Sequence, residues 1–483
     1  MVKLLLGAQR ITPISASTGT KVTPLTVTPS SSRQVLTPPK EYDGYSTVTT
    51  EAVTSSVDEN IIPENIRSGV TILGVSGSDG GSGAAIPREV NANGVYGYPT
   101  QSFTYRLPSG VTSLGDRALF NAFSNCTSLT SVDLSSLVTM DEHSSMENAF
   151  SNCTSLISVD LSGLTTVTGQ YDYNMSYAFA GCSALTSVDL SSLTTIAGDY
   201  SLTNAFFGCD SLTSLDLSSL TTVSAGDGGD GFTMQYAFAN CNALTSLDLS
   251  SLTTVTGTSS LNSAFQNCYS IVSIDLSSLT TVGNGEEYDS EVMASAFNGC
   301  SALTSLDLSS LTTIAGSSSM YYAFADCTSL TSVDLSSLIT VSGDSAMEGT
   351  FYHCTSLTSV DFSNLTTLGG EEDSYSMMAY AFEGCTSLAS ISFPSLATIG
   401  EQAFEDTFNG CTSLASVSFP AINSSSFDDP SYSSAFDDML SGVDGCTVHF
   451  PSNMESYISE WTSFSQGFGG DNTIILFDLP ATT

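Results

Sequence analysis

The stretch Cys126-Thr-Ser-Leu-Thr-Ser-Val-Asp-Leu-Ser-Ser-Leu137 recurs along the chain with small changes, starting again at Cys153, Cys182, Cys209, Cys241, Cys268, Cys300, Cys327, Cys354, Cys385 and Cys411. The cysteines are spaced by 27, 29, 27, 32, 27, 32, 27, 27, 31 and 26 residues, and an Ala-Phe pair such as Ala149-Phe150 or Ala323-Phe324 lies three residues before the next cysteine. In the unit beginning at Cys153 the apolar positions are Cys153, Leu156, Val159, Leu161, Leu164, Val167, Ala178 and Phe179. Val159-Asp160-Leu161 alternates in the manner of a strand. Burying each apolar side chain gains about 1.5–3 kcal/mol at best. Ordering a residue costs about 1–2 kcal/mol for its backbone alone. A single unit of this size therefore cannot hold its own shape, and the units must stack to share a core. Parallel strands about 4.8 Å apart would place eleven such rungs along an axis on the order of 50 Å.

The frame Ala-Phe-x-x-Cys-x-x-Leu-x-x-Val resembles the BspA-type leucine-rich repeats of bacterial surface proteins and phage tail proteins. The resemblance spans Phe103 to the C-terminus and implies an α/β solenoid of about eleven full rungs plus caps. It departs from the common form in one respect. Asp-Leu-Ser-Ser-Leu stands where Ile-Pro often follows the strand, until Phe393-Pro394 and Phe419-Pro420. Residues 86–125 read as an N-terminal cap and degenerate first rung, 126–426 as the solenoid and 427–483 as a C-terminal cap. In that cap Ser452-x-x-Glu455 has the form of a capping box. It would open an amphipathic helix with Met454, Ile458, Trp461 and Phe464 on one face, followed by a strand over Thr473–Leu479.

Residues 1–77 are not repeats. Thr23 to Thr50 is rich in Thr, Val, Ser and Pro, a pattern of short strands and turns, so this part is expected to be a small β-rich module. Leu36-Thr-Pro-Pro-Lys-Glu-Tyr-Asp-Gly-Tyr45 and Ile62-Pro-Glu-Asn-Ile-Arg-Ser-Gly-Val-Thr-Ile-Leu-Gly-Val-Ser-Gly77 resemble a module of phage and prophage tail and fibre proteins. The resemblance implies attachment to other tail proteins. Residues 78–85, rich in Gly and Ser, form a flexible linker.

Charge divides the chain at a further boundary, after Arg117. All nine Lys and Arg residues lie at or before Arg117, whereas Ala118 to Thr483 holds 40 acidic residues and no basic one. The formal net charge is −40. Nucleic-acid binding needs cations to displace counterions, and anionic membranes repel such a body, so neither is expected as a partner. No apolar run is long enough to span a membrane, and Gln9-Arg10 interrupts the short Leu4-Leu5-Leu6 run that would have to serve as a secretion signal. The expectation is synthesis in a host cytoplasm.

Twelve cysteines raise the question of disulfides or zinc. Eleven share one repeat position, so their side chains point the same way, with Cβ atoms too far apart for a relaxed disulfide. A linear file also cannot build a tetrahedral metal site. They are expected to be buried thiols acting as small hydrophobes. The three histidines, His143, His353 and His449, are far apart in sequence and lie beside no nucleophile motif. Carboxylate doublets such as Glu286-Glu287, Glu371-Glu372 and Asp437-Asp438 are chain neighbours, not pairs facing each other across a substrate. Catalysis is not expected.

Two surfaces remain for binding. One is an outward column of Asp133, Asp160, Asp189, Asp216, Asp248, Asp275, Asp307, Asp334 and Asp361, giving way to Ser392 and Ser418. Neighbouring carboxylates about 4.8 Å apart repel by roughly 1 kcal/mol even in water. No cofactor is expected, and calcium along this column is the one cation it would suit. The other surface is the varied part of each repeat, with candidate receptor contacts at Tyr171, Tyr173, Phe232, Tyr236, Tyr288, Tyr321, Tyr322, Tyr375 and Tyr432. Tyr suits recognition surfaces, and loops on a rigid scaffold are where recognition concentrates. The function expected is adhesion within a phage tail: the solenoid recognises a bacterial surface receptor, and the N-terminal module docks to the virion. A bacterial surface adhesin and a spacer without ligand are the other readings. Resembling tail fibres are often trimers, but no coiled-coil pattern marks an interface here.

Overall fold

Each Ser-x-Asp stretch is a short strand whose central apolar residue is buried, or half-buried at Val360, while the flanking Ser and Asp face out, as in Ser214–Asp216 and Ser273–Asp275. Strand alternation places Ser and Asp on one side and the apolar residue on the other. In the computed structural model these strands, from Phe103–Arg106 and Leu129–Asp133 through Ser158–Asp160 to Ser359–Asp361, form a ten-stranded parallel sheet in sequence order. The Thr-Val or Thr-Ile pairs that follow, from Thr139–Met140 to Thr398–Ile399, build a second ten-stranded sheet. Register is kept rung by rung, Val159 opposite Val188 and Thr166 opposite Thr195. Ser390–Ser392, Ser416–Ser418, Thr447–Pro451 and Ile474–Leu479 close the C-terminal end as a four-stranded sheet. The repeat region is a β-solenoid of about 12 turns.

The structure describes residues 101–483 apart from 109, 170–172, 226–230, 284–289, 370–374, 424, 427–432, 459–467, 470–471 and 482–483; of residues 1–100 it describes eight short strands. The chain divides into two compact units, Met1–Pro87 with Leu107–Val111, and Arg88–Arg106 with Thr112–Thr483. In the first unit Leu4–Leu6 pairs antiparallel with Gln9–Ile11, Val22–Val27 parallel with Gly44–Thr50, and Thr71–Ile72 antiparallel with Val75–Ser76.

The third side of each rung corrects the expected α/β class. Among the described residues the only α-helix is the four-residue Glu455–Ile458. The segment before each cysteine is a turn ladder instead. In the rung of Cys153, the amides of Met146, Asn148, Phe150 and Asn152 donate to carbonyls of the next rung, while those of Glu147, Ala149, Ser151 and Cys153 donate three residues back within the rung. Alternating the two patterns satisfies every amide from Met146 to Cys153 without a helix, as buried backbone requires. The ladder recurs with left-handed residues four apart: Ser144, Asn148 and Asn152, then Ser259, Ser263 and Asn267. The four-residue step breaks the 3.6-residue helical period.

The C-terminal cap differs from expectation as well. A 3-10 turn, Ser452–Met454, precedes the short helix, with Pro451 at its N-cap and no side-chain capping bond, so no capping box forms. Met454 is buried; Trp461 and Phe464 lie outside the described residues.

One core feature holds the file together. Phe123, Phe150, Phe179, Phe206, Phe238, Phe265, Phe297, Phe324, Phe351, Phe382 and Phe408 stack with centroids 5.0–5.8 Å apart and planes within 15°. The rung rise imposes that spacing. All twelve cysteines are free and buried. The thiols from Cys153 to Cys411 each donate to the carbonyl of the phenylalanine one rung back, at 3.0–3.4 Å. Burial pushes thiols such as Cys182 and Cys268 up to about 12. Threonines add a parallel device: the hydroxyls of Thr194, Thr221, Thr253, Thr280 and Thr312 donate to backbone carbonyls one rung earlier at 3.0–3.1 Å. These columns stitch rungs together at roughly 0.5–1.5 kcal/mol per bond.

Candidate functional site: the strand face and the turn face

The aspartate column exists, and the structure gives it a structural task. Asp133 to Asp361 end their strands, and Oδ1 of each accepts the backbone amide of the serine two residues on, at 2.8–3.1 Å. From Asp133 to Asp216 the serine hydroxyl donates to it as well, at 2.6–2.7 Å. This is an Asx turn, which bends the chain off the sheet toward the second strand. The serine bonds, hydroxyl first, hold Asp216, Asp275 and Asp334 below the usual carboxylate range, and Asp133 is lowered by the Ser135 hydroxyl with help from Arg106. Arg106 stands opposite Asp133 in register, with Nε 2.9 Å from its Oδ2. The strand face forms an open groove of about 1280 Å³ lined by the Ser and Asp columns from Ser158 to Asp334. Among the described residues no group of three or more His, Cys, Asp or Glu could hold a metal ion.

The second candidate surface falls on the turn ladder. Tyr171, Tyr288 and Tyr432 lie outside the described residues, as do Glu286-Glu287 and Glu371-Glu372. Tyr375 is exposed and bridges to Glu401 of the next rung. Tyr173, Phe232, Tyr236, Tyr321 and Tyr322 belong to the ladder, not to loops of variable length. Tyr173 and Phe232 become one surface through Tyr200, which the sequence reading passed over: Tyr173 stacks on Tyr200 at 4.7 Å and Tyr200 on Phe232 at 5.3 Å. Their sequence signal was register, since all three stand nine residues before a cysteine.

A second cluster covers three rungs further along. Tyr321 meets Tyr322 edge-on at 4.6 Å, Tyr322 meets Tyr352 at 5.3 Å with planes 51° apart, and Tyr352 stacks on His353 at 3.9 Å. His353 Nδ1 lies 3.6 Å from Asp326 Oδ1. Two glycines make room for this packing. A Cβ on Gly349 would lie 2.5 Å from the Tyr322 ring, and one on Gly384 would lie 2.3 Å from His353. Glu348 and Glu383 flank the cluster, and Glu405 and Asp406 lie near Tyr380. Burial first, then neighbouring carboxylates, raises all four; the same two causes raise Tyr380. Tyr352 and Tyr380 were also missed, although they too stand at fixed offsets from a cysteine, two and five residues.

Several rings sit on backbone that tyrosine rarely adopts. Tyr177, Tyr236, Tyr322 and Tyr380 have φ of 50–55°, in a column where other rungs place Asn, Asp, Ser or Gly. Left-handed backbone costs an ordinary L-residue roughly 1–2 kcal/mol.

Comparison with known proteins follows this geometry. The model of the BspA type leucine-rich repeat region matches overlapping stretches from residue 95 to residue 437, well over half the chain. The chain belongs to the BspA-type leucine-rich repeat family. This BspA-type protein is similar to a leucine-rich repeat protein of Bacteroides ovatus, at 20% identity over 77% of this chain and 92% of that one, with a TM-score of 0.35. It is similar to a leucine-rich cell surface protein of Faecalibacterium prausnitzii, at 20% identity over 80% and 92%, with a TM-score of 0.33. A leucine-rich repeat protein of T. pallidum matches at 23% identity over 45% and 86%, with a TM-score of 0.28. No curated protein matches the chain.

Proposed function

We propose that this BspA-type protein is an adhesin whose solenoid presents the turn face to a receptor on a bacterial cell. In this reading residues 1–77 fasten it to other proteins of a phage tail, so the protein resides in the virion. The observation that carries the adhesive role is the display of tyrosines on strained backbone in fixed register. Strain retained on a rigid scaffold is characteristic of functional surfaces, and repeats of this family are typically binding scaffolds, not catalysts. Support for the virion is the resemblance of Leu36–Tyr45 and Ile62–Gly77 to tail modules. The family match supports a second setting equally, an adhesin on a bacterial surface.

The test has two readouts. Labelled full-length protein, incubated with a panel of bacterial strains, should bind some and not others, and Tyr173→Ala with Tyr200→Ala or Tyr321→Ala with Tyr352→Ala should reduce binding. Uniform absence of binding would leave a spacer. Antibody against the chain should decorate phage particles; decoration of the bacterial envelope instead would favour the surface adhesin.

A further inference from the structure

The cluster around Tyr322 brings together inclined tyrosines and half-buried glutamates. Tyr321, Tyr322 and Tyr352 touch one another at inclinations of 60° and 51°, so their ring planes face different directions. Glu348 stands one rung beyond Tyr321, its carbonyl accepting the Tyr322 amide at 2.8 Å. Glu383 stands one rung beyond Tyr352, its carbonyl accepting the His353 amide at 2.7 Å. Both residues are half-buried, and burial first, then Tyr321, Glu348, Tyr352 and Glu383, push the Tyr322 phenol up. Gly349 is the seat that lets the Tyr322 ring lie down over the next rung. The sequence after Arg117 holds no lysine or arginine to neutralise these groups, and His353 is the one imidazole beside them. Half-buried glutamates in register with inclined tyrosines, with no lysine or arginine after Arg117 to pair with, are complementary to a cation brought from outside.

We propose that this patch docks an arginine-rich segment of a partner protein. Guanidinium is the cation that fits, because it is planar. It stacks on a tyrosine face while donating in a fork to a carboxylate, which a compact ammonium cannot do. Nucleic acid and anionic lipid have the wrong sign. A neutral glycan could use the rings but would give the half-buried Glu348 and Glu383 no cation beyond His353 to pair with, a cost that specific surfaces avoid. The aspartates of the strand face lack this design, since each is exposed or half-exposed and already spends Oδ1 on its own turn. The inference rests on the adhesive reading for the identity of the surface that presents the segment.

The experiment uses the full chain and a fluorescein-labelled oligoarginine peptide, with binding followed by anisotropy at low and high salt. Glu348→Gln with Glu383→Gln should weaken binding about tenfold, as for the truncation of partly buried charges. Tyr321→Leu with Tyr352→Leu should weaken it by about threefold or more through lost cation–π contact. Asp248→Asn with Asp275→Asn removes the same charge from the strand face and should change binding less than about twofold, as expected for exposed charges. Equal weakening by the two charge-removing pairs would overturn the proposal, because the peptide would then be reading only net charge. So would undiminished binding by the glutamine pair, whose thermal midpoint confirms that it folds. The cell-panel assay separates this inference from the adhesive reading. If the glutamine pair loses the peptide but still adheres to cells, the patch is overturned as the receptor site and adhesion stands. If the wild type binds the peptide in this patch-dependent way but adheres to no cell, adhesion is overturned and the patch stands.

Discussion

At the scale of single residues, repeat positions are chosen for what they do to the next rung. Cysteine is small enough for the crowded interior and carries a donor for the phenylalanine carbonyl behind it, which alanine would lack and serine would supply at a higher desolvation cost. Threonine at the rung corners donates in the same direction. Tyrosine at the left-handed positions is the exception, since nothing in the ladder requires a ring there and the backbone disfavours one. Tyr177, with φ 54° and its side chain 44% exposed, is the simplest case to test. Tyr177→Gly should stabilise the protein by up to about 1 kcal/mol, the left-handed strain relieved outweighing the added freedom of the unfolded chain. Chemical denaturation measures it, and destabilisation would show that the ring contributes packing instead of straining the backbone.

At the scale of elements, no strand of two to five residues and no turn run could persist alone, and the phenylalanine file is what couples them. Phe265 is fully buried, with rings of Phe238 and Phe297 at 5.4 and 5.2 Å on either side. Phe265→Ala should cost about 3–5 kcal/mol, the usual range for emptying such a site. Because each rung contacts only its neighbours, the loss should appear as local opening around rungs 241–300. Hydrogen exchange would locate it; uniform loss of protection along the whole file would mean that the units unfold as one block. The turn ladder is the element that sequence reading placed wrongly. The α/β class came with the family resemblance, whereas Asn, Asp or Gly directly before most of the cysteines was the sign of left-handed backbone, which ends helices.

At the scale of the molecule, two classes of carboxylate titrate in opposite senses. Glu348, Glu383, Glu405 and Asp406 have raised folded values, so the stability they contribute is present when they are protonated and is lost as pH rises through those values. Asp133, Asp216, Asp275 and Asp334 have lowered folded values, so their contribution is present above the ordinary carboxylate range and is lost as pH falls through their folded values. With a net charge of −40 adding repulsion at neutral pH, the melting temperature should rise between about pH 7 and pH 5 and fall again below about pH 4. Thermal unfolding across that range measures it, and Glu348→Gln with Glu383→Gln should flatten the rise; a monotonic fall from pH 7 would contradict the assignment. Stacking, the first strand of each rung, the aspartate column and the buried cysteines were legible in the sequence, because identical units must place identical residues in register; the second strand, such as Thr166–Gly169, was not read there. The stack of Tyr173, Tyr200 and Phe232 was signalled by register, each standing nine residues before a cysteine, whereas the ring angles and contacts around Tyr322 were decided only by the tertiary structure. Those depend on which residues of successive, unequal rungs come to lie over one another, and contacts about 30 residues apart in the chain are set by the rung rise and by room left at glycines such as Gly349, not by any local pattern.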